Sequence, residues 1–564
     1  MRKRVIALAT LALAAAALVA SASSHAQGRG DLQRIKHIVV IYEENHSFDN
    51  LYGRWEGVNG SANVAQVSQS GTAFTCLKQL DVNLAAVPAT CTDTTTGTSF
   101  TSGFANAPFL IDSYIPASAT TCPAQYVFGP ANGIANGSGL AGGCTRDIVH
   151  RYYQEQYQLD GGKMDRFVAG SDAAGLVMGQ YDTKTLPVYT YLHAKGHPSY
   201  AIADDFFQGA FGGSFLNHQF LVAAEAPVFA GALNDGSAND LHSVVDANGM
   251  PNNYPFYASP LGTAVKDQAL TASCRPPASR GPTPDNVQCG DFAVNTIQPF
   301  NQPYSPGTAD TRRLPPLTSP NIGDALTRAK VSWAWYSGGW SNADGDVNAP
   351  GWTNGSGPAC SDPNVNRNAV YPNCPDGTFQ FHHQAFNYFA SFAPGTAQRA
   401  NDLRDEAEFI SLATSSKSQC KLRSVSFIKP LGVENEHPGY ASESAGDSHL
   451  IDLLKDIEGG ACAKDTMVIV TYDEFGGQFD HVPPPGQGST TAGPHDVWGP
   501  GTRIPALVVS PFLGAPFVVD HAEHDTTSIL ATIEHRFKIA PVATRDAEVK
   551  DLSSVFSAKK AAIR

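Results

Sequence analysis

Ile35-Lys36-His37-Ile38-Val39-Val40-Ile41-Tyr42 is a short, β-branched run that stops abruptly at Glu43-Glu44-Asn45-His46-Ser47-Phe48-Asp49. Its apolar residues are nearly continuous and do not alternate, the pattern of a strand covered on both faces, as in a parallel sheet. The same arrangement recurs at Met467-Val468-Ile469-Val470-Thr471-Tyr472, which runs into Asp473-Glu474-Phe475-Gly476-Gly477-Gln478-Phe479-Asp480-His481. A third run, Ile504 to Ser510, follows a Gly/Pro turn, and shorter candidates lie at 199–203, 331–336 and 424–428. Helical patterns fall between them, at Asp147 to Tyr157, Thr185 to Lys195, Ser448 to Ile457 and Thr526 to Phe537. Strands alternating with helices predict an α/β fold, a mostly parallel central sheet with helices on both faces.

In such sheets ligands bind beyond the carboxyl ends of the strands, which is where both acidic clusters fall. A single acidic residue after a strand is ordinarily a helix cap or a solvated turn; two clusters on separate strands point to a ligand. Carboxylate and amide oxygens suit a hard or borderline divalent metal ion, whose identity stays open. A third segment carries Gly212-Gly213-Ser214-Phe215-Leu216-Asn217. The glycine pair permits a tight turn and close ligand approach. Ser214 is expected to open a helix, where free N–H groups and the dipole favour an anion, with Asn217 on the same side of the first turn. The plainer account of Ser214 is an N-cap.

The histidine candidates are His150, the adjacent pair His382 and His383, and His437. Singly, each reads as a surface or structural residue, and neighbours on a helix diverge by ~100°. Together they suit a phosphate pocket: an imidazole with a pKa near ~6.5 is cationic in mild acid and can protonate a leaving alkoxide, unless burial lowers it. His481, Asp480 and His524 form a second tier, with His524 read as structural. Strand alternation turns Glu43 away from Glu44, and Asp49 reads as a cap for the next element.

A chain of 564 residues that is 42% hydrophobic and only 16% charged can bury a large core and is not a disordered chain. Its formal net charge of −14 disfavours nucleic acid as a partner. Residues 1–26 read as a signal peptide: a basic Arg2-Lys3-Arg4, an Ala/Leu-rich run, and small residues at Ser24-His25-Ala26. Cleavage there would leave no stable membrane anchor and deliver the protein to the periplasm or the outside. The ten cysteines all follow it, suit an oxidising compartment, and most simply pair with their successive neighbours. The Gly/Pro/Ser-rich stretches 53–144, 230–323 and 338–377 read as disulfide-pinned insertions in one catalytic domain spanning 27–564.

The strings IKHIVVIYEENHSFDNLYG, DDFFQGAFGGSFLNH, TYDEFGGQFDHVPPP and GPGTRIPALVVSPF resemble the phosphoesterase family of bacterial and fungal acid phosphatases and phospholipases C. The resemblance runs from about Arg34 to Phe537 and implies an alkaline-phosphatase-like α/β fold. FGGSFLNH, with serine at the nucleophile position, is similar to the acid-phosphatase branch. The resemblance further implies that Ser214 is the nucleophile and that Glu44, Asn45, Asp473 and Glu474 hold a divalent metal that also touches Ser214. His150, His382, His383, His437 and Asn217 would then face the phosphate. A serine hydroxyl is a weak nucleophile at its free pKa, and a metal can stabilise its alkoxide. The leading expectation is a secreted acid phosphatase working on small phosphorylated substrates through a phosphoserine. The alternative is a phospholipase C acting on phospholipid head groups, which needs an apolar approach that Trp333, Trp335, Trp340 and Trp352 could furnish, although core packing is their ordinary role. A non-catalytic binding protein would not need Ser214 together with every ligand, and the C/S-x-P-x-R string of sulfatases is absent around Ser214.

Overall fold

In the computed structural model, residues 28–79, 87–115, 118–122, 134–135, 143–273, 287–305, 307–353, 378–488 and 493–561 are described. The proposed signal peptide, Cys274, Cys360 and Cys374 lie outside them. The main sheet has nine strands, in chain order β1 His37–Glu43, β2 Tyr200–Ala203, β3 Trp333–Ser337, β4 Leu403–Asp405, β5 Val425–Lys429, β6 Thr466–Tyr472, β7 Ala506–Val509, β8 Phe517–Asp520 and β9 Lys559–Lys560. Their spatial order is β4-β3-β5-β1-β6-β7-β2-β8-β9. Seven run one way; β7 and β9 are reversed. β1 lies between β5 and β6, with Ile41 beside both Ile428 and Val470, so both signature turns leave from neighbouring strands.

Ile38 to Ile41 and Met467 to Ile469 have no exposed surface, the burial on both faces that continuous apolar runs require. Helices flank the sheet in two groups. On one side α6 (Glu443–Glu458) packs against α2 (Pro187–His193) and α5 (Glu406–Thr414); on the other, α3 (Ser214–Ala223) packs against α4 (Ile322–Arg328) and α7 (Thr527–Phe537). Leu450, Leu453, Leu454 and Ile457 form the buried stripe of α6, and Ser442 caps it by accepting from Ala445 N. One continuous apolar core runs from Leu32 to Phe556. Trp333, Trp335 and Trp340 are buried in it, so they furnish no apolar approach surface.

Several expectations change. The helix expected at 147–157 is α1, Tyr152–Leu159. Arg151 is its extended N-cap, held where its N–H donates to Gln154 Oε1, and residues 147–150 are therefore non-helical. The Ile504–Ser510 run becomes β7, antiparallel to β6, since burial on both faces looks alike in either direction. β8 lies between turns and too short for its pattern to stand out. The C-terminal residues belong to the fold: β9 closes the sheet beside β8, and Leu552, Val555 and Phe556 are buried. Three disulfides, Cys76–Cys91, Cys122–Cys144 and Cys420–Cys462, join successive cysteines as expected.

Candidate active site

The parallel strands deliver their carboxyl ends to one edge, and the chemistry gathers there. Ser214 is the first residue of α3; Gly213 is its N-cap, so the capping account of Ser214 does not hold. Its Oγ instead donates to Glu44 Oε2 at 3.2 Å. The preceding turn accepts only glycine. Gly212 sits at φ +89°, and a Cβ there would lie 2.7 Å from Tyr152 N; one at Gly213 would lie 2.9 Å from His150 O.

Asn217 holds this turn and does not line the cavity. Its Oδ1 accepts from Ala210 N (2.9 Å), and its Nδ2 donates to Gly212 O (3.1 Å) and Gly213 O (3.3 Å). Two residues outside the expected set do comparable work. Glu155 accepts from Gly212 N and Gln208 Nε2, while Gln208 Oε1 accepts from Phe475 N at 2.9 Å, tying the serine turn to the Asp473 turn.

The acidic residues lie on two adjoining turns. Asn45 adopts a left-handed backbone, φ 62°, which asparagine tolerates better than most residues. Its N–H and that of Glu474 both donate to Asp473 Oδ1, at 3.0 and 2.8 Å. Gly476 N donates to Glu474 Oε2 at 2.6 Å. Among the described residues, Asn45 Oδ1, Asp473 Oδ2 and Glu474 Oε1 are buried with no hydrogen-bond donor, while Glu44 Oε1 meets the Lys429 ammonium. Unsatisfied buried oxygens are costly, and oxygens of this kind suit a hard divalent cation. Burial, then the Asp473 charge, push the Glu44 and Glu474 carboxyls well above the usual range, although Lys429 opposes this at Glu44.

The histidine rings explain how Asn45 is oriented. His150 Nδ1 donates to Ile148 O (2.5 Å) and His437 Nδ1 to Pro438 O (2.6 Å), which leaves each neutral ring with an acceptor at Nε2. Asn45 Nδ2 meets both, at 3.4 and 3.1 Å, so its amide oxygen points away from them, undonated. His150, His382, His437 and Ser214 line one cavity of about 680 Å³. His383 does not: it lies 3.5 Å from Glu44 Oε2 and stacks on His218, ring centroids 4.8 Å apart. His382 and His383 diverge, though on a 3-10 turn and not an α-helix. Burial first, and then neighbouring positive groups, push His382 down to about 3 and hold His383 and His437 well below the ordinary histidine value. Burial therefore disfavours the cationic form of these three, against the role expected from a free imidazole.

Two fully buried residues escaped the sequence reading. His218 lies one helical turn after Ser214; its Nδ1 donates to Ser214 O at 2.8 Å, and its Nε2 faces Glu44 Oε1 at 3.7 Å. The i, i+4 spacing within FGGSFLNH was the available signal. Lys429 ends β5 with its ammonium against Glu44 Oε1. Asp49 is not a cap, since Ser47 caps the Phe48–Leu51 helix. Asp49 and Asp480 instead bracket the buried Arg503, at 3.0 and 3.1 Å, and His481 Nδ1 contacts Asp49 Oδ2 at 2.7 Å. His524 is structural as expected, bonded to Ser554 Oγ at 3.0 Å. Glu43 faces away from Glu44, within electrostatic range of Glu406, Asp447 and His449.

A mostly parallel sheet with a helix-initiating serine beside buried acidic side chains defines an α/β protein with a candidate metal-binding cluster. The sequence model of the Phosphoesterase family matches residues 35–540, and the chain belongs to that family. It is 36% identical over 158 residues to phospholipase C B of Mycobacterium tuberculosis, covering 24% of this chain and 30% of that protein. Phospholipase C A of the same organism is 33% identical over 157 residues, with the same coverage. The non-hemolytic phospholipase C of Burkholderia pseudomallei is 26% identical over 268 residues, 42% of this chain and 35% of that one. The matched part therefore spans about a third of these relatives.

Proposed function

We propose that this chain hydrolyses phosphomonoesters of small polar alcohols, with Ser214 as the nucleophile. The observation that favours the monoester reading is the polar side of the cavity beyond Ser214, where Arg146, Arg151, Asn295, Gln298, Ser305 and Gln380 stand alongside Ile148, Val149, Phe381 and Tyr440. Among the described residues, the exposed large apolar side chains Val228, Leu233, Phe300, Val347 and Val497 lie outside that lining, which favours a polar substrate over an acyl chain. Ser214 Oγ attacks phosphorus as its proton passes to a histidine nitrogen, the P–O bond to the alcohol breaks, and the leaving alkoxide takes that proton; water then cleaves the phosphoserine to phosphate and free Ser214. His150, His382 and His437 contact the phosphoryl group and move the proton at Nε2. His383 and Asn217 act indirectly, His383 through Glu44 and Asn217 through the serine turn. A divalent cation held by Glu44, Asn45, Asp473, Glu474 and Ser214 would supply Lewis acidity to the serine oxygen and the phosphoryl oxygens.

The second reading, a phospholipase C acting on phospholipid head groups, is favoured by the names of the relatives. Disulfides and residues 1–26 support export. No helix among the described residues is long and apolar enough to cross a membrane. The test is turnover of para-nitrophenyl phosphate and of its phosphocholine diester by wild type and Ser214→Ala, from pH 4 to 9. Monoester preference that disappears in the variant, by at least about 10³-fold in kcat, supports the proposal. Diester preference moves the assignment to phospholipase C, and an active Ser214→Ala removes the nucleophile.

A further inference from the structure

Glu44, Asp473 and Glu474 gather three carboxylates in one buried site. With a single divalent cation bound, three negative charges against two positive leave one net negative charge, before any phosphate arrives. An anionic substrate would meet repulsion, so a further positive charge is needed. Lys429 supplies one. Its side chain is 1% exposed, its Nζ donates to Tyr42 O at 2.7 Å, and the ammonium lies against Glu44 Oε1. The placement is fixed by the sheet: Ile41 pairs with Ile428 across parallel β1 and β5, which sets Lys429 beside Tyr42 at the carboxyl edge.

A second metal ion at Glu44, His218 and His383 is the rival source of charge, because both Nε2 atoms lie near Glu44 and lack hydrogen-bond partners. Ring geometry argues against it. A metal binds in the plane of its imidazole, and these rings are stacked, 8° from parallel with centroids 4.8 Å apart, so one ion cannot lie in both planes. Lys429 also already occupies the Oε1 side of Glu44.

We propose that Lys429 is the resident second cation of this site, an ammonium that balances Glu44 so that one divalent ion suffices and an incoming phosphate meets no net negative charge. The inference rests on the cation site proposed above, but not on which phosphoester is cleaved. Lys429 acts through Glu44 and is a positioning residue.

The experiment titrates metal-stripped wild type, Lys429→Met and Lys429→Arg with Mn²⁺ by calorimetry, then titrates each loaded protein with inorganic phosphate. Wild type should take up one ion per chain. Lys429→Met should bind the first ion as tightly or about tenfold more tightly, or accept a second, because Glu44 is no longer neutralised, while phosphate affinity falls about tenfold or more. A merely structural lysine would weaken both together. Lys429→Arg, which keeps the charge, should bind one ion and retain phosphate affinity within about fivefold. Two ions per wild-type chain, parallel loss of metal and phosphate binding in Lys429→Met, or unchanged phosphate affinity in that variant would each overturn the proposal. If Lys429→Met does not fold, the wild-type stoichiometry and Lys429→Arg decide. Neither titration uses an ester, so a failed monoesterase assay leaves this result standing.

Discussion

Glu44 and Asp49 leave the same strand, and Asp473 and Asp480 leave its neighbour, yet the two acidic sets end in opposite electrostatic states. Asp49 and Asp480 are closed by Arg503, whose guanidinium is fully buried between them and also donates to Asp204 O and Asn59 O. Asp473 and Glu474 each keep an oxygen that no protein N–H or O–H reaches, and Glu44 meets the Lys429 ammonium and the Ser214 hydroxyl. A buried carboxylate that meets its counter-charge within the chain is scaffold. One that does not is built for a ligand, because leaving it unmatched costs stability that nothing else recovers.

The largest effect should come from breaking the closed set. Arg503→Met leaves Asp49 and Asp480 buried without their cation and should lower unfolding free energy by about 3–5 kcal/mol, measured by urea denaturation. A change under about 1 kcal/mol would mean that the two acidic sets do not differ as described. The open set should behave in the reverse way. Asp473→Asn should reduce kcat/KM at least about 100-fold and weaken Mn²⁺ binding, yet leave the thermal midpoint in chelator unchanged or higher, since a like charge is removed from a repelling cluster. A lower midpoint in chelator would show that Asp473 is structural.

The smallest effect sharpens the comparison at a third acidic cluster, closed by a titratable cation. His449 lies 2.8 Å from Glu406 and 3.9 Å from Glu434. Burial lowers its pKa, but Glu406 first, then Glu434 and Glu43, outweigh that and raise it to about 9. Because the folded value exceeds the unfolded one, the stabilisation is complete below about pH 6.5 and is lost as pH climbs through about 9. Stability should therefore fall by about 2 kcal/mol across that window in wild type, and His449→Gln should flatten the decline. An equal slope in both proteins would assign the pH dependence elsewhere.

Much of this was legible in the chain. The six sequence-predicted strands are all present in the sheet, and Ser214 does open a helix after a glycine turn, because these features depend on local pattern and backbone permission. What could not be read is where distant residues meet. Arg151 capping α1 frees His150 to enter the cavity, and the His382–His383 turn sends one ring to the cavity and the other against Glu44.

Residue pattern alone carries the α/β class, an acidic turn at the end of each of two strands and a serine after a glycine pair, since periodicity and residue chemistry are local properties. Only the tertiary structure decided which carboxylates are neutralised. That choice depends on Arg503 and Lys429, which reach their partners across the sheet from strands or turns far away in the chain, at 3 Å scales that no sequence spacing encodes.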